Sequence, residues 1–215
     1  MNTYRPYSSL PPVVLALLVV NGGMFLLEHS AANQLIDLLA LWPVAVPVSP
    51  LLGMTPPSFE PWQLVSYSFL HGSIMHLLLN MYALWLFGTR MENVWGSKVF
   101  ALYYFVCVMG AGLVQLYVVS QAAKQGGVYP TIGASGGVFG LLLAFGMTFP
   151  NERLMLIFPP IVLKAKWFVL IYGAIELWAG VTGTEAGVAH FAHLGGMFFG
   201  LALLLYWRRH PPGFR

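Results

Sequence analysis

The segment TIGASGGVFGLLLAFGMTF, at positions 131–149, joins a glycine-rich turn to an apolar helix that is too short to cross a membrane. A helix from Ser135 to Phe149 would be about 22 Å long, whereas the hydrocarbon core of a bilayer is about 30 Å thick. The irregular chain at 126–133 must therefore descend into the protein before the helix begins. Such backbone is tolerated at membrane depth only where protein or water surrounds it. We therefore expect Ser135 at a helix start in a water-filled pocket.

The composition of the whole chain requires lipid around most of it. Of the 215 residues, 58% are hydrophobic and only 8% are charged, whereas a soluble globular domain carries about 25% charged residues. The apolar runs are continuous and do not alternate, which excludes a transmembrane β-barrel. The ten Lys and Arg residues are scattered singly, so we expect no nucleic-acid partner. The sequence predicts an all-α membrane protein.

Six apolar runs are the predicted transmembrane helices, and we interpret residues 1–215 as a single six-helix membrane domain. The first run is expected to be a retained span and not a cleaved signal peptide. The long connection at 29–69 is too apolar for a disordered linker. It predicts an interfacial loop that Trp42 and Trp62 anchor in the headgroup region. The six runs are about 11–27, 70–88, 99–119, 135–149, 161–181 and 187–206.

The basic residues predict an orientation. When the six runs cross the membrane, nine of the ten lie on the side of both termini, and Lys124 alone lies on the other. Since cytoplasmic loops carry the excess of Lys and Arg, we expect both termini in the cytoplasm. The nine are Arg5, Arg90, Lys98, Arg153, Lys164, Lys166, Arg208, Arg209 and Arg215.

Polar residues remain inside three of the predicted helices, where each is costly unless it has a partner or a function. In the predicted orientation all of them lie near the outer ends of their helices. Because that orientation depends on Lys and Arg alone, the common depth favours one shared site. The residues are His71, His76 and Asn80 in the second run, Ser135 in the fourth, and His190 and His193 in the sixth.

Ser135 and His193 predict a nucleophile and its base, because an imidazole can take the proton of a hydroxyl near neutral pH. Phe139 lies one helical turn after Ser135 and could stack on the imidazole. No intramembrane Asp is evident as a third member, so we interpret the pair as a dyad. Glu176 is expected to reach the interface or a neighbouring helix and not to serve catalysis.

Glycines predict how the two side chains meet. Gly196 and Gly200 have the GxxxG spacing that lets one helix approach another closely. The glycine-rich start of the fourth run offers a matching surface. Contact between these helices would bring Ser135 and His193 within the roughly 2.6–3.2 Å of a hydrogen bond.

Acyl chemistry also requires donors for a developing oxyanion. His76 and Asn80 are four residues apart and share a helix face, and the backbone N–H of Ser135 lies at a helix N-terminus. These three groups are the candidate donors. His71 lies about 140° around the helix from His76, so we expect it to be structural, fastening the first loop.

Simpler explanations exist for each feature. A serine at a helix start is most often an N-cap, and a His76–Asn80 pair could merely bond between helices. His71, His76, His190 and His193 could instead bind a metal. There is no HExxH motif and few carboxylates lie nearby, so we expect no metal.

Several motifs occur in order over about 60–206: Glu60-Pro61-Trp62-Gln63, His71 with His76 and Asn80, Glu92 and Gly96, GASG at 133–136, and AHLGG at 192–196. Together they resemble the rhomboid family of intramembrane serine proteases. The resemblance implies a six-helix rhomboid-like bundle of the bacterial form, with a first loop partly embedded in the membrane. It implies that Ser135 is the nucleophile and His193 the base, with the oxyanion donors named above, and that Gly133 shapes the loop before Ser135.

Two positions depart from the family pattern. Gln63 stands where the loop motif usually has Arg, which puts the anchoring of that loop in question. Phe139 stands where Tyr is common, so ring stacking is retained and a hydroxyl bond is lost. Neither position removes the dyad.

The resemblance implies a serine endopeptidase that cleaves transmembrane segments of membrane proteins through an acyl-enzyme, without a cofactor. Its partners would be transmembrane substrates and the lipid bilayer. The fifth run is the implied gate, and we hypothesise that Trp167, Phe168 and Tyr172 tune its opening. The alternative is a non-catalytic rhomboid-like protein that binds and guides clients. We expect a bacterial inner membrane, with the site open to the outer side.

Overall fold

The computed structural model describes residues 8–44, 57–155, 160–184 and 188–213. Eight α-helices form most of this part of the chain. A 3-10 turn, Tyr67–Phe69, follows the second helix, and a π-helical turn, Leu84–Gly88, joins the third to the fourth. The elements are α1 Pro12–Leu39, α2 Gln63–Ser66, α3 Ile74–Ala83, α4 Thr89–Trp95, α5 Ser97–Lys124, α6 Ser135–Thr148, β1 Arg153–Met155, β2 Val162–Lys164, α7 Ala165–Thr182 and α8 His190–Arg209.

Three helices, α1, α5 and α8, are long and apolar enough to cross a membrane. A fourth span is present if the bent pair Gln63–Phe69 and Ile74–Trp95, which turns by 103°, crosses as one unit. Helix α6 is apolar and shorter. The predicted all-α membrane class is confirmed. The count of six spans and the single domain over residues 1–215 stay predictions.

Helix α1 extends well beyond the predicted span at 11–27. It contains one non-helical residue, Ala31, and continues to Leu39. The first part of the predicted interfacial loop at 29–69 is therefore helix. Residues 45–56 of that loop lie outside the described part of the chain.

Glu92 of α4 fixes the start of α1. Its carboxylate accepts hydrogen bonds from the backbone N–H groups of Val13 (3.0 Å) and Val14 (2.8 Å), which are helix-end donors without an intrahelical partner. The hydroxyl of Ser97, at the start of α5, donates to the same carboxylate at 2.6 Å. Glu92 is 2% exposed, and it ties three helices together. These contacts make Glu92 a structural residue that fixes helix ends.

The two β-strands in the described chain form a small hairpin. Strand β1 pairs antiparallel with β2, with Leu154 opposite Leu163. The predicted fifth span at 161–181 therefore begins too early, because α7 starts only at Ala165. Residues 161–164 continue the apolar run, and a short apolar run does not distinguish a strand from a helix by its periodicity.

Close packing of α6 against α8 positions the polar residues at their N-terminal ends. A Cβ built on Gly196 of α8 would clash with the backbone oxygen of Gly136 in α6, so a larger residue would force the helices apart. Gly200 instead faces the Tyr103 hydroxyl and the Cys107 sulfur of α5. The contact with the fourth run is therefore made by Gly196, whereas Gly200 packs closely against α5.

Candidate active site

Ser135 is the first residue of α6, and its hydroxyl faces α8. Ser135 Oγ lies 2.8 Å from His193 Nε2. The N-cap position belongs to Ala134, and no side-chain cap bond is formed there. The N-cap explanation for Ser135 is therefore wrong. Gly133 has φ +123°, a backbone conformation that glycine adopts without strain, and this lets the chain turn sharply into α6.

His193 lies in the first turn of α8 and is held on two sides. The ring of Phe139 stacks on the imidazole, with centroids 4.2 Å apart and planes 6° apart. Oxygen Oε2 of Glu176, from α7, lies 2.8 Å from Nδ1. An ionised carboxylate can only accept, so Nδ1 carries a hydrogen and Nε2 presents its lone pair to the Ser135 hydroxyl. The ring is oriented as a proton acceptor for Ser135.

The contact with Glu176 is the feature of the site that sequence reasoning missed. The same oxygen, Oε2, also lies 2.7 Å from Nδ1 of His190. Glu176 is 8% exposed, so it reaches neighbouring helices and not the interface. The signal was a lone carboxylate in the apolar run of α7, because an intramembrane ionisable residue is functional by default. The sequence places Glu176 in an apolar helix but does not show that its carboxylate reaches His193.

Three of these groups could hold a metal ion. Donor atoms of Glu176, His190 and His193 all lie within 4.8 Å of one another. His71 and His76 are not in this group; their rings pack on each other, with centroids 4.9 Å apart. The alternative metal site of four histidines is therefore not formed by the described residues. Two zinc ligands at about 2.0–2.1 Å and a tetrahedral angle lie about 3.3 Å apart, so the shorter distances here are those of hydrogen bonds.

The predicted oxyanion donors lie beside the serine. A Cβ built on Gly133 would lie 2.8 Å from Nε2 of His76 and 3.9 Å from Ser135 Oγ. The imidazole of His76 therefore approaches the loop that carries Ser135. Asn80 donates one amide hydrogen to the backbone oxygen of His76 at 2.9 Å. An amide nitrogen has two hydrogens, so one is not used in this bond, and Asn80 and His76 line the same cavity.

His71 holds α1 through its backbone. Its N–H donates to Oε1 of Glu28, on α1, at 3.0 Å. Both ring nitrogens are buried and have no hydrogen-bond partner among the described residues. His71 therefore contacts α1 through its backbone, and its expected structural role stays a prediction.

Gln63, which stands where the family usually has arginine, forms hydrogen bonds within the first loop. Its amide oxygen accepts from the backbone N–H groups of Trp42 and Glu60, each at 3.2 Å, and the residue is 1% exposed. The neutral amide joins the chain after α1 to the start of α2. Trp42 is only 8% exposed, whereas Trp62 is 49% exposed. The predicted headgroup anchor is therefore wrong for Trp42.

A cavity of about 1420 Å³ extends from Ser135 and His193 between α3 and α7. Phe168 and Tyr172 of α7 line it and stack on each other, with centroids 4.5 Å apart. Trp167 does not line it and is 52% exposed. Two of the three predicted gate residues therefore lie on the cavity wall, and the third lies outside it.

Comparison with known proteins agrees with this architecture. The family model described as the rhomboid domain matches residues 58–210. The chain is 32% identical to the presenilin-associated rhomboid-like protein, mitochondrial, of Rattus norvegicus, over 67% of this chain and 39% of the relative. It is 31% identical to rhomboid protein 1, mitochondrial, of Saccharomyces cerevisiae, over 64% and 39%, and 36% identical to RHOMBOID-like protein 4 of Arabidopsis thaliana, over 67% and 33%. The aligned segments cover less than two fifths of each relative's length. The chain is a multi-pass membrane protein that belongs to the rhomboid family.

Proposed function

We propose that the chain is an intramembrane serine endopeptidase in which Ser135 is the nucleophile and His193 the general base. The observation that carries this is the 2.8 Å contact between Ser135 Oγ and His193 Nε2. Membership of the rhomboid family supports intramembrane proteolysis as the kind of activity. The cavity that leads from this pair between α3 and α7 supports a substrate that arrives from the side.

The reaction would proceed through an acyl-enzyme. His193 Nε2 takes the proton of Ser135, and Oγ attacks the substrate carbonyl carbon. His76, Asn80 and the backbone N–H of Ser135 stabilise the developing oxyanion. The proton on Nε2 then passes to the leaving amine, and the C–N bond breaks. A water molecule, deprotonated by His193, releases the carboxylate product and restores the hydroxyl. The residues present are sufficient for these steps without a cofactor.

The substrate would be a transmembrane segment of another membrane protein. Its peptide bonds are shielded by helical hydrogen bonds, so it must unwind locally before Ser135 can attack. A wet cavity inside the membrane gives the freed backbone groups new partners. The expected location, a bacterial inner membrane with cytoplasmic termini and an outward-facing site, is part of this proposal.

Active-site labelling tests the assignment. Purified full-length protein is treated with a fluorophosphonate probe, and cleavage of a fluorogenic transmembrane substrate is followed in proteoliposomes. We expect labelling and cleavage in the wild type, and neither in Ser135→Ala or His193→Ala. Ser30→Ala is the matched control, because Ser30 bonds only to its own helix, at Leu27, and should behave as wild type.

Three outcomes would overturn the assignment. Labelling that persists in Ser135→Ala would exclude it as the nucleophile. Cleavage that a chelator abolishes and zinc restores would assign the activity to a metal. Substrate binding without cleavage or labelling in the wild type would favour the non-catalytic client-binding alternative.

A further inference from the structure

We propose that Glu176 is a positioning residue for His193, so that the site operates as a Ser135–His193–Glu176 triad and not as a two-residue dyad. This inference rests on the proposed function. The three side chains come from α6, α8 and α7 and are joined by two contacts of 2.8 Å. The order hydroxyl, imidazole, carboxylate is the arrangement that fixes the tautomer and orientation of a general base.

The hydrogen bond to Glu176 determines what His193 can do. A neutral imidazole carries one hydrogen, on either Nδ1 or Nε2. Without a carboxylate at Nδ1, the hydrogen could sit on Nε2 and point at Ser135, where it would block proton transfer. With Glu176 accepting from Nδ1, Nε2 is free to take the Ser135 proton. The carboxylate then faces the imidazolium that forms, and stabilises it.

His190 stabilises the buried carboxylate of Glu176. Nδ1 of His190 lies 2.7 Å from Glu176 Oε2, and Nε2 lies 3.2 Å from the backbone oxygen of Thr184. A carbonyl oxygen only accepts, and so does an ionised carboxylate. The hydrogen bond at Nδ1 therefore gives the buried carboxylate a second imidazole donor beside that of His193. An isolated charge at this burial would be strongly unfavourable.

Burial and helix geometry hold the three groups in one arrangement. Glu176, His190 and His193 are 8%, 6% and 8% exposed. His190 and His193 are three residues apart and share one face of α8. That face points at α7, so a single carboxylate oxygen reaches both Nδ1 atoms. Phe139 covers a face of the His193 imidazole, whereas the carboxylate contacts its edge at Nδ1.

Substitution of the carboxylate by its amide tests the inference. In Glu176→Gln the amide can donate to Nδ1 and so place the hydrogen on Nε2. Loss of the equivalent group lowers kcat by about 10⁴-fold in a well-studied serine protease, and we expect a fall of about 10²–10⁴-fold here. KM should change by less than about twofold, and fluorophosphonate labelling should slow by the same factor as kcat.

Two further variants separate positioning from folding. Glu176→Asp keeps the charge but withdraws it by one methylene, so its kcat should lie between those of the wild type and Glu176→Gln. Glu152→Gln is the matched control, because this carboxylate is exposed and lies outside the site; it should match the wild type. If Glu176→Gln does not fold, Glu176→Asp carries the test, with a lower kcat at unchanged KM as the expected result.

The outcomes distinguish this inference from the proposed function. Unchanged kcat and labelling in both Glu176 variants, with Ser135→Ala inactive, would overturn the positioning role of Glu176 and leave the serine protease assignment intact. A rise in KM with unchanged kcat would make Glu176 a binding or folding residue and also overturn it. An inactive, unlabelled wild type would overturn the proposed function itself.

Discussion

Phe139 helps to orient the imidazole of His193, because its ring stacks parallel to that imidazole. A stacked aromatic pair contributes about 0.5–1.5 kcal/mol beyond its buried area, and about 1.4 kcal/mol is tenfold in rate. Phe139→Leu, which keeps most of the volume and loses the ring, should therefore lower kcat by about 2- to 13-fold. Phe139→Tyr keeps the ring and should stay within about twofold of wild type. Equal rates for the Leu and Tyr variants would show that stacking contributes nothing.

Ser135 and His193 could be paired from the sequence, whereas Glu176 could not be added to them. The first two open glycine-rich helices at one predicted depth, and glycine spacing is a local signal. The partners of Glu176 are 14 and 17 residues further along the chain, on another helix. Helix α7 is apolar on most of its faces, so periodicity does not fix its rotation about its own axis. Only the packed structure shows which way the carboxylate points.

At the scale of elements, helix existence was predictable and some helix ends were not. Helix α6, Ser135–Thr148, agrees with the predicted 135–149 because polar and glycine residues precede it and a proline follows. Helix α1 and the hairpin differ from prediction because their ends depend on contacts with distant chain, such as Glu92 at the start of α1. Tertiary contacts of this kind leave no local pattern in the sequence.

Helix α7 forms one wall of the cavity, where Phe168 and Tyr172 stack on each other. If α7 is the gate, as we hypothesise, this pair would limit substrate entry to Ser135. In Phe168→Ala and Tyr172→Ala this wall is smaller, so kcat/KM for a transmembrane substrate should rise by about two- to tenfold, equal to about 0.4–1.4 kcal/mol. Labelling by a small fluorophosphonate, which needs no wide opening, should change by less than about twofold. Leu170→Ala is the control, because Leu170 is 61% exposed and is not on the cavity wall. Unchanged cleavage in both cavity variants would contradict a gate at α7.

Contacts between distant segments show which helix ends lie together on each of two opposite faces of the molecule. On one face, Ser8 and Asn93 exchange hydrogen bonds of 3.0 and 2.8 Å, and Arg90 lies over the ring of Phe149. This face therefore joins the chain before α1, the region of α4 and the end of α6. Arg90 in α4 and Arg153 after α6 belong to segments on this face, and both were predicted on the basic side. Arg5 and Arg215 lie outside the described residues.

The opposite face is built around the approach to Ser135. Leu41, after α1, pairs with Thr131, just before α6. The backbone N–H of Val44 donates to Ser120 Oγ near the end of α5, at 3.0 Å. Lys124, the one basic residue predicted on the outer side, ends that helix. The site therefore lies toward the face that is poor in basic residues.

The positive-inside rule then gives a testable orientation for the whole molecule. Lys124→Cys and Arg208→Cys place single reporters on the two faces, and the native Cys107 is buried, so the unaltered protein is the background control. With a membrane-impermeant maleimide on intact bacterial cells, we expect Lys124→Cys to react at once and Arg208→Cys to react only after permeabilisation. The reverse pattern would place the termini outside. Ser135 would then open to the cytoplasm, and a substrate would have to present its cleavage site from that side.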